Sequence, residues 1–286
     1  CAAAAAKAAV ATLCGTAATT VDIPLPDGTR AGFPVLFARV AGEGCAEAAV
    51  RKDAGDDPDV TDGVAVVATV AWTEGTAVRF AAGEGVGTVT KPGLQIAPGE
   101  PAINPAPRRM IEAAVREATT RGVAVTVAIP GGRELAARTF NPRLGVAGGL
   151  SILGTTGRVR PFSAPALRDA LVCALDVAMA CGVRAPVLVP GHIGERGARR
   201  HFRLAAEQVV PVSNEWGFML DRVAERKWDR VLLVGHPGKL AKLAEGHWAT
   251  HSQQSPPALT GVARLAGAIG LTVPGGIETV EGVFAG

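Results

Sequence analysis

The stretch Val231-Leu-Leu-Val-Gly-His-Pro-Gly-Lys-Leu-Ala-Lys-Leu-Ala244 decides the fold class of the second half of the chain. A short apolar run ends in a Gly-His-Pro-Gly turn and passes into a helix-forming segment, so it reads as strand, tight turn, helix. Working back toward the N-terminus, the same alternation recurs. Strands are expected over Leu150 to Leu153, Pro186 to Pro190 and Arg230 to Val234, and helices over Pro165 to Cys181, Asn214 to Lys227 and Gly238 to Ala244. That rhythm predicts a mostly parallel sheet with helices on both faces, a Rossmann-like α/β domain over residues 146–286. In such sheets ligands bind beyond the carboxyl ends of the strands, here at Gly154-Thr-Thr-Gly157, Gly191-His-Ile-Gly194 and Gly235-His-Pro-Gly238.

The first half lacks this regularity. Ala2 to Leu13 has high helix propensity and is followed by Gly15 at a C-cap position. Thr19 to Pro24, Thr29 to Phe37, Val64 to Trp72 and Thr76 to Phe80 carry Val, Thr and Phe between Pro, Asp and Gly turns, as strands do. Pro107 to Arg121 has helical apolar spacing, and Val123 to Ile129 is a short buried-strand run. Residues 1–145 are therefore expected to form an α+β domain, making the protein α/β overall.

Composition narrows the function classes. With 48% hydrophobic residues in 286, the chain can bury a sizeable core. A formal charge of +3, with Lys and Arg scattered, gives no basic stripe for nucleic acid and suits a small polyanionic substrate better. Five cysteines without CxxC spacing read as reduced thiols, not as a disulfide framework. The Ala-rich start lacks a basic signal-peptide region, and no apolar run is long enough for a membrane span, so a soluble, cytoplasmic protein is expected. Homo-oligomerisation stays open on sequence grounds.

Several segments could carry chemistry. Gly83-Glu-Gly-Val-Gly-Thr-Val-Thr-Lys-Pro-Gly93 would let backbone N–H groups approach an anion, with Lys91 adding charge, although it lacks the order of a P-loop. A glycine-rich hairpin is the plainer alternative. Gly148-Gly-Leu-Ser-Ile-Leu-Gly-Thr-Thr-Gly157 leaves a strand for a Gly/Thr turn and runs on to Arg158 and Arg160. His236 and Lys239 arrive at a helix N-terminus, which favours anions. In Pro101-Ala-Ile-Asn-Pro-Ala-Pro-Arg-Arg109, Asn104, Arg108 and Arg109 could hold carboxylates, with surface solvation as the alternative. His247 and His251 stand four apart without the further Asp, Glu or Cys spacing of a metal site, so no protein-held metal is expected. The acidic loop Lys52-Asp-Ala-Gly-Asp-Asp-Pro-Asp59 lacks EF-hand spacing and reads as a solvated turn or a ligand contact through Asp53, Asp56 or Asp57.

Taken in order, these segments resemble the cobalt-precorrin-5B methyltransferase family. The resemblance is carried by Cys1-Ala-Ala-Ala-Ala-Ala-Lys-Ala-Ala9, the Lys52 to Thr61 loop, Gly85 to Leu94, Pro101-Ala-Ile-Asn-Pro105, Gly149 to Gly157, and Leu232 to Leu240 with Thr250-His-Ser252. Asp62 stands where the family usually has His, and Ala249 where Asn is common. The resemblance implies methyl transfer from S-adenosylmethionine to carbon 1 of a polycarboxylate tetrapyrrole, with cobalt entering only as part of the substrate. On that footing Gly154, Thr155, Thr156, Gly157, Gly235 and Gly238 are expected to hold the methyl donor. Lys91, Asn104, Arg108, Arg109, Arg158 and Lys239 are expected to meet the substrate, and His236 to stand near the reacting edge. A nucleotide-dependent transferase and a non-catalytic tetrapyrrole carrier are the competing readings.

Overall fold

The structure is a computed structural model that describes every residue except Ala17, Arg160, Phe162, Pro274 and Gly286. The chain forms two compact units, Cys1–Ser163 and Ala164–Gly286.

The first unit contains, in chain order, α1 (Ala2–Leu13), β1 (Thr20–Pro24), β2 (Arg30–Gly42), β3 (Cys45–Arg51), β4 (Ala65–Thr73), β5 (Val78–Ala82), β6 (Thr88–Val89), α2 (Pro105–Arg116), β7 (Gly122–Ala128), α3 (Gly132–Ala136) and β8 (Val146–Ala147). Six of the strands make a mixed sheet in the order β1-β2-β3-β4-β7-β5. Its pairings are antiparallel except that β5 runs parallel to β7.

One face of this sheet is covered by α1. Ala2 to Ala6, Ala8, Ala9 and Val10 are all buried, and Ala48, Ala68, Val70 and Val125 of the sheet belong to the same core. Alanine on both sides lets a helix and a sheet approach closely, since the separation of packed elements follows side-chain size. The same composition hid β3 from the sequence reading. Cys45-Ala-Glu-Ala-Ala-Val-Arg51 has few β-branched residues, yet the turn at Gly44 (φ +64°) and continuous pairing with β4 from Cys45↔Ala71 to Arg51↔Ala65 make it a central strand. The edges are tied by charge: Lys7 of α1 pairs with Glu117 at 2.6 Å, and Arg30 of β2 reaches Glu117 and Asp22.

The second unit holds α4 (Ala164–Ala180), β9 (Val187–Val189), α5 (His192–His201), β10 (Val209–Pro211), α6 (Trp216–Glu225), β11 (Leu232–Leu233), α7 (Pro237–Ala244), α8 (Leu259–Ala268) and α9 (Val280–Ala285). Its three strands form a parallel sheet in the order β10-β9-β11. Leu171, Leu175, Leu188, Trp216 and Met219 fill the core between sheet and helices. The chain is thus mixed α/β, with a small parallel sheet in its second part.

One segment falls on the other side of the expected boundary after residue 145. Leu150 to Leu153 was read as the opening strand of the parallel sheet. Instead, Leu150 bridges Val86 and Ile152 bridges Ile103, both inside the first unit. A run of apolar residues fixes burial but not the strand it will pair with.

Candidate active site

The parallel pair β5 and β7 sends its two carboxyl ends out side by side. One becomes Gly83-Glu-Gly85 and the other Ile129-Pro-Gly-Gly132, and they stay joined by Ile129 N donating to Glu84 O at 2.7 Å. A third segment, Gly148 to Leu150, enters beside them: Leu150 N donates to Gly85 O at 2.8 Å and Gly87 N to Leu150 O at 2.9 Å. The packing is backbone against backbone. A Cβ on Gly85, whose φ is +70°, would lie 1.9 Å from Ile129 O, and a Cβ on Gly149 would lie 2.3 Å from Gly85 O. Glycine is required there by space as well as by φ. The ladder continues outward through Ala102 N to Gly87 O, Ile152 N to Ala102 O and Asn104 N to Ile152 O, at 2.8, 2.8 and 2.9 Å. Three stretches that stand apart in the sequence, 85–94, 101–105 and 149–157, are thereby brought into one region.

Two open clefts flank this junction. The first, of about 400 Å³, is lined by Glu84, Gly85, Thr88, Arg133, Glu134 and Gly148. The second, of about 310 Å³, is lined by Thr90, Lys91, Arg133, Pro142, Val146 and Gly148. Arg133, Ala147 and Gly148 border both. The first cleft lies where ligands collect in sheets with parallel strands, beyond the carboxyl ends. Its charged lining is mainly acidic, whereas Lys91 and Arg133 make the second basic against an apolar floor. Buried Asn141 holds the wall: its amide donates to Gly149 O at 3.4 Å, and its Oδ1 accepts from Ser151 Oγ at 3.2 Å.

The residues expected from sequence are distributed unevenly around this site. Lys91 lines the second cleft. Asn104 is the N-cap of α2, without a side-chain cap bond, and Arg109 is exposed on the same helix. Arg108 is committed elsewhere: it donates to Ile103 O at 2.8 Å and Pro101 O at 3.3 Å, pairs with Glu100, and covers the Phe80 ring. Its guanidinium braces the 100–104 segment. Arg158 donates to Thr29 Oγ1 at 3.0 Å and lies 3.8 Å from Asp27, so it ties down the β1–β2 turn. Gly154, Thr155, Thr156 and Gly157 form an exposed turn of the first unit, with Gly157 against Met110 and Leu25. Arg160 lies outside the described residues. Glu84, Arg133, Glu134 and Asn141 were not singled out by sequence reasoning. The available signal was Pro130-Gly-Gly132, a turn at the end of an expected strand that delivers Arg133 and Glu134.

Gly235, His236, Gly238 and Lys239 belong to the second unit, so the two sets of glycines expected to share the methyl donor lie in different units. His236 caps α7, its Nδ1 accepting from Gly238 N at 3.1 Å, while its Nε2 meets Glu281 Oε1 at 2.6 Å. Lys239 donates to Asn214 Oδ1. Burial, and then the charge of Lys242, hold the Lys239 ammonium below its ordinary pKa. In the acidic loop, Lys52 pairs with Asp59, whose carboxyl is pushed up by burial but pulled further down by hydrogen bonds from Lys52 and Thr61. Among the described residues no three His, Cys, Asp or Glu side chains are grouped to hold a metal ion.

Comparison with known proteins decides the family. The family model described as CbiD matches residues 1–161, which contain the whole of the woven glycine junction and both clefts. A cobalt-precorrin-5B C(1)-methyltransferase of Syntrophotalea carbinolica is 58% identical over 286 residues, all of this chain and 81% of that protein. This chain belongs to the CbiD family. Proteins of the same name from Desulfitobacterium hafniense and Moorella thermoacetica are 49% and 46% identical, over 88% and 94% of this chain and 66% and 74% of their own lengths. A crystal structure of cobalamin biosynthesis protein (cbiD) from Archaeoglobus fulgidus is 26% identical, with a TM-score of 0.44 over 95% of this chain and 82% of that one. Within this CbiD chain, the two departures noted in the sequence are structurally occupied. Asp62 accepts from Ala54 N at 2.8 Å, closing the acidic loop, and Ala249 bridges Glu215 through its backbone.

Proposed function

We propose that this protein transfers a methyl group from S-adenosylmethionine to carbon 1 of cobalt-precorrin-5B, giving cobalt-precorrin-6A. It is a methyltransferase of cobalamin biosynthesis. The observation that carries the reading is the 58% identity, over the full chain, to a protein named for that reaction.

The residues of the first cleft suit a sulfonium donor. Glu84 and Glu134 place negative charge on its lining, and the glycines leave backbone groups open to a nucleoside. The donor supplies an already activated methyl group, so the work of the chain is positioning, which can contribute on the order of 7–11 kcal/mol at best. Lys91 and Arg133 draw the substrate carboxylates into the second cleft, where the apolar floor of Pro142 and Val146 meets the ring edge. Gly148, bordering both clefts, presents no side chain between donor and acceptor. Arg109 adds charge from α2, and Asn104 and Arg158 meet polar groups of the macrocycle from the rim, while Arg108 acts by bracing. Gly154 to Gly157 flank the donor.

In the second unit, taken by itself as a Rossmann-like crevice, Gly235 and Gly238 form a turn suited to a nucleoside, Lys239 suits a carboxylate, and His236 is fixed beside them by Gly238 and Glu281. Cobalt arrives within the substrate. No helix among the described residues is long and apolar enough to cross a membrane, which accords with work on a water-soluble substrate in the cytoplasm.

The test is anaerobic incubation of the protein with cobalt-precorrin-5B and methyl-labelled S-adenosylmethionine, reading mass and label position. A labelled methyl on carbon 1 is the expected result. Binding of both ligands without transfer would favour a tetrapyrrole carrier and overturn the reading.

A further inference from the structure

In the second unit the strands β10, β9 and β11 run parallel, so their carboxyl ends open on one edge. After β10 the chain turns through Ser213, a non-glycine residue at φ +53°, into Asn214. After β9 and β11 it turns through Gly191 and Gly235, and the backbones close on each other: a Cβ on Gly194 would lie 2.8 Å from Val234 O. Strained backbone at such an edge is a recurrent mark of ligand sites.

Two lysines of α7 come to this edge. Lys239 donates to Asn214 Oδ1, and the same oxygen accepts from Thr250 Oγ1 at 3.2 Å. Lys242, one turn away in the helix at 8% exposure, donates to Ser255 Oγ at 2.9 Å, to Ser255 O at 3.3 Å and to Thr250 O at 3.4 Å. All of these acceptors are neutral. Of the carboxylates on neighbouring segments, Glu215 pairs with Arg168, Glu245 lies 3.9 Å from Arg264 and Glu281 meets His236, and neither lysine makes an ion pair among the described residues. Burying an ammonium without a counter-charge is costly, and placing a second one beside it adds repulsion. Thr250 and Ser255 are themselves buried and spent on holding this arrangement.

We propose that Lys239 and Lys242, positioned by Asn214, Thr250 and Ser255 at the carboxyl edge of the parallel sheet, form a binding site for a carboxylate group of a ligand. The uncompensated charge is then balanced when the ligand arrives. Lys239, half-buried, makes the direct contact, and Lys242 supplies field from behind. The depressed pKa of Lys239, caused first by burial and then by Lys242, accords with a cation waiting for its partner. The site holds whatever the identity of the ligand. On the methyltransferase reading, the carboxylate comes from the side chains of the macrocycle or from the methionine moiety of the donor.

Isothermal titration calorimetry of the protein and its Lys239→Met variant, with cobalt-precorrin-5B and with S-adenosylmethionine separately, tests this. Loss of one charge-assisted hydrogen bond corresponds to a rise in Kd of about 10-fold or more for the ligand whose carboxylate sits there. A rise for cobalt-precorrin-5B alone identifies the macrocycle, and a rise for S-adenosylmethionine alone identifies the donor. Wild-type Kd for both ligands in the variant overturns the site and leaves the methyltransferase standing. If the unaltered protein binds neither ligand, the methyltransferase reading fails, and the site is read with malonate by thermal shift. Stabilisation that Lys239→Met abolishes keeps it, and its absence in the unaltered protein removes it. The Lys242→Met variant adds a stability readout. Because Lys242 also holds Thr250 and Ser255, the variant melts lower without ligand; the readout is the increment that malonate adds to the melting temperature, smaller in Lys242→Met than in the unaltered protein, and equal increments would overturn the part of Lys242.

Discussion

Substituting Gly85 by alanine should damage the first unit far more than a substitution that shares only its backbone conformation. Gly131 provides that comparison: its φ is +73°, and a Cβ there meets nothing within 4 Å. Holding an alanine in the left-handed region costs roughly 1–2 kcal/mol, and that is the whole expected effect of Gly131→Ala. Gly85→Ala carries the same strain at φ +70° and places a Cβ 1.9 Å from Ile129 O, with Gly132 N at 2.8 Å. Neither neighbour is a flexible side chain that can swing away. The three segments must part, which loosens the bonds of Leu150 N to Gly85 O and Ile129 N to Glu84 O, each worth about 1 kcal/mol net. The sum is about 3–4 kcal/mol. For a domain of this size each kcal/mol moves Tm by about 2–4 °C, so Gly85→Ala should fall about 6–16 °C and Gly131→Ala about 2–8 °C. Differential scanning calorimetry, with circular dichroism to follow the sheet, measures both. Equal shifts for the two variants would refute the close backbone approach on which both clefts depend.

Other outcomes follow from the same geometry. Arg133→Ala should raise KM for the tetrapyrrole about 10-fold or more, through loss of a charged hydrogen bond, and an unchanged KM in steady-state assays would remove Arg133 from the site. Hydrogen bonds from Arg30 and then Lys7 hold the Glu117 carboxyl at about 2, below its ordinary 4.5. A depressed carboxylate stabilises the folded state above pH 4.5 and loses that contribution as pH falls toward 2. The group faces solvent, so screening limits the effect to about 1 kcal/mol. Glu117→Gln should therefore be less stable than the parent by about that amount in urea melts at pH 6, and the gap should close by pH 2. His236→Ala removes the cap on Gly238 N and the contact with Glu281, and should cost about 1 kcal/mol of stability together with a fall in kcat. A kcat equal to that of the unaltered protein would confine His236 to capping.

Much of the local structure was legible. The helix over Ala2 to Leu13 and the strand over Val123 to Ile129 lie within a residue of α1 and β7, because alanine propensity and an uninterrupted apolar run speak for themselves. The helix at α2 starts at Pro105 and ends at Arg116, where the sequence reading ran on to Arg121. Arg116 there donates to the carbonyls of Thr119 and Arg121, closing the chain into a turn. Helix α5 passed unseen, since His192 to His201 is polar overall, carries two glycines and buries only Gly194 and Ala198, which are too small to mark an apolar period. The clefts were harder. Lys91 was singled out through its glycine-rich surroundings and lines the second cleft, whereas Arg133 and Glu134 carry no motif and reach the clefts only because two parallel strands end beside each other. Arg108 looked free to bind a ligand, and only the folded chain gives it Ile103 O, Pro101 O and the Phe80 ring.

The sequence by itself determined much of the succession of helices and strands, β3 and α5 excepted, the mild charge, and, through its ordered motifs, the family and its chemistry. Tertiary structure alone decided which strands pair, that residues 148–152 join the first unit, and that segments far apart in the chain line the same two clefts. The physical reason is that propensity and hydrophobic period act over a few neighbouring residues. Strand pairing, the close approach of Gly85 to Ile129 and Gly149, and the balance of charge around Lys239 and Lys242 depend on atoms that meet only after folding.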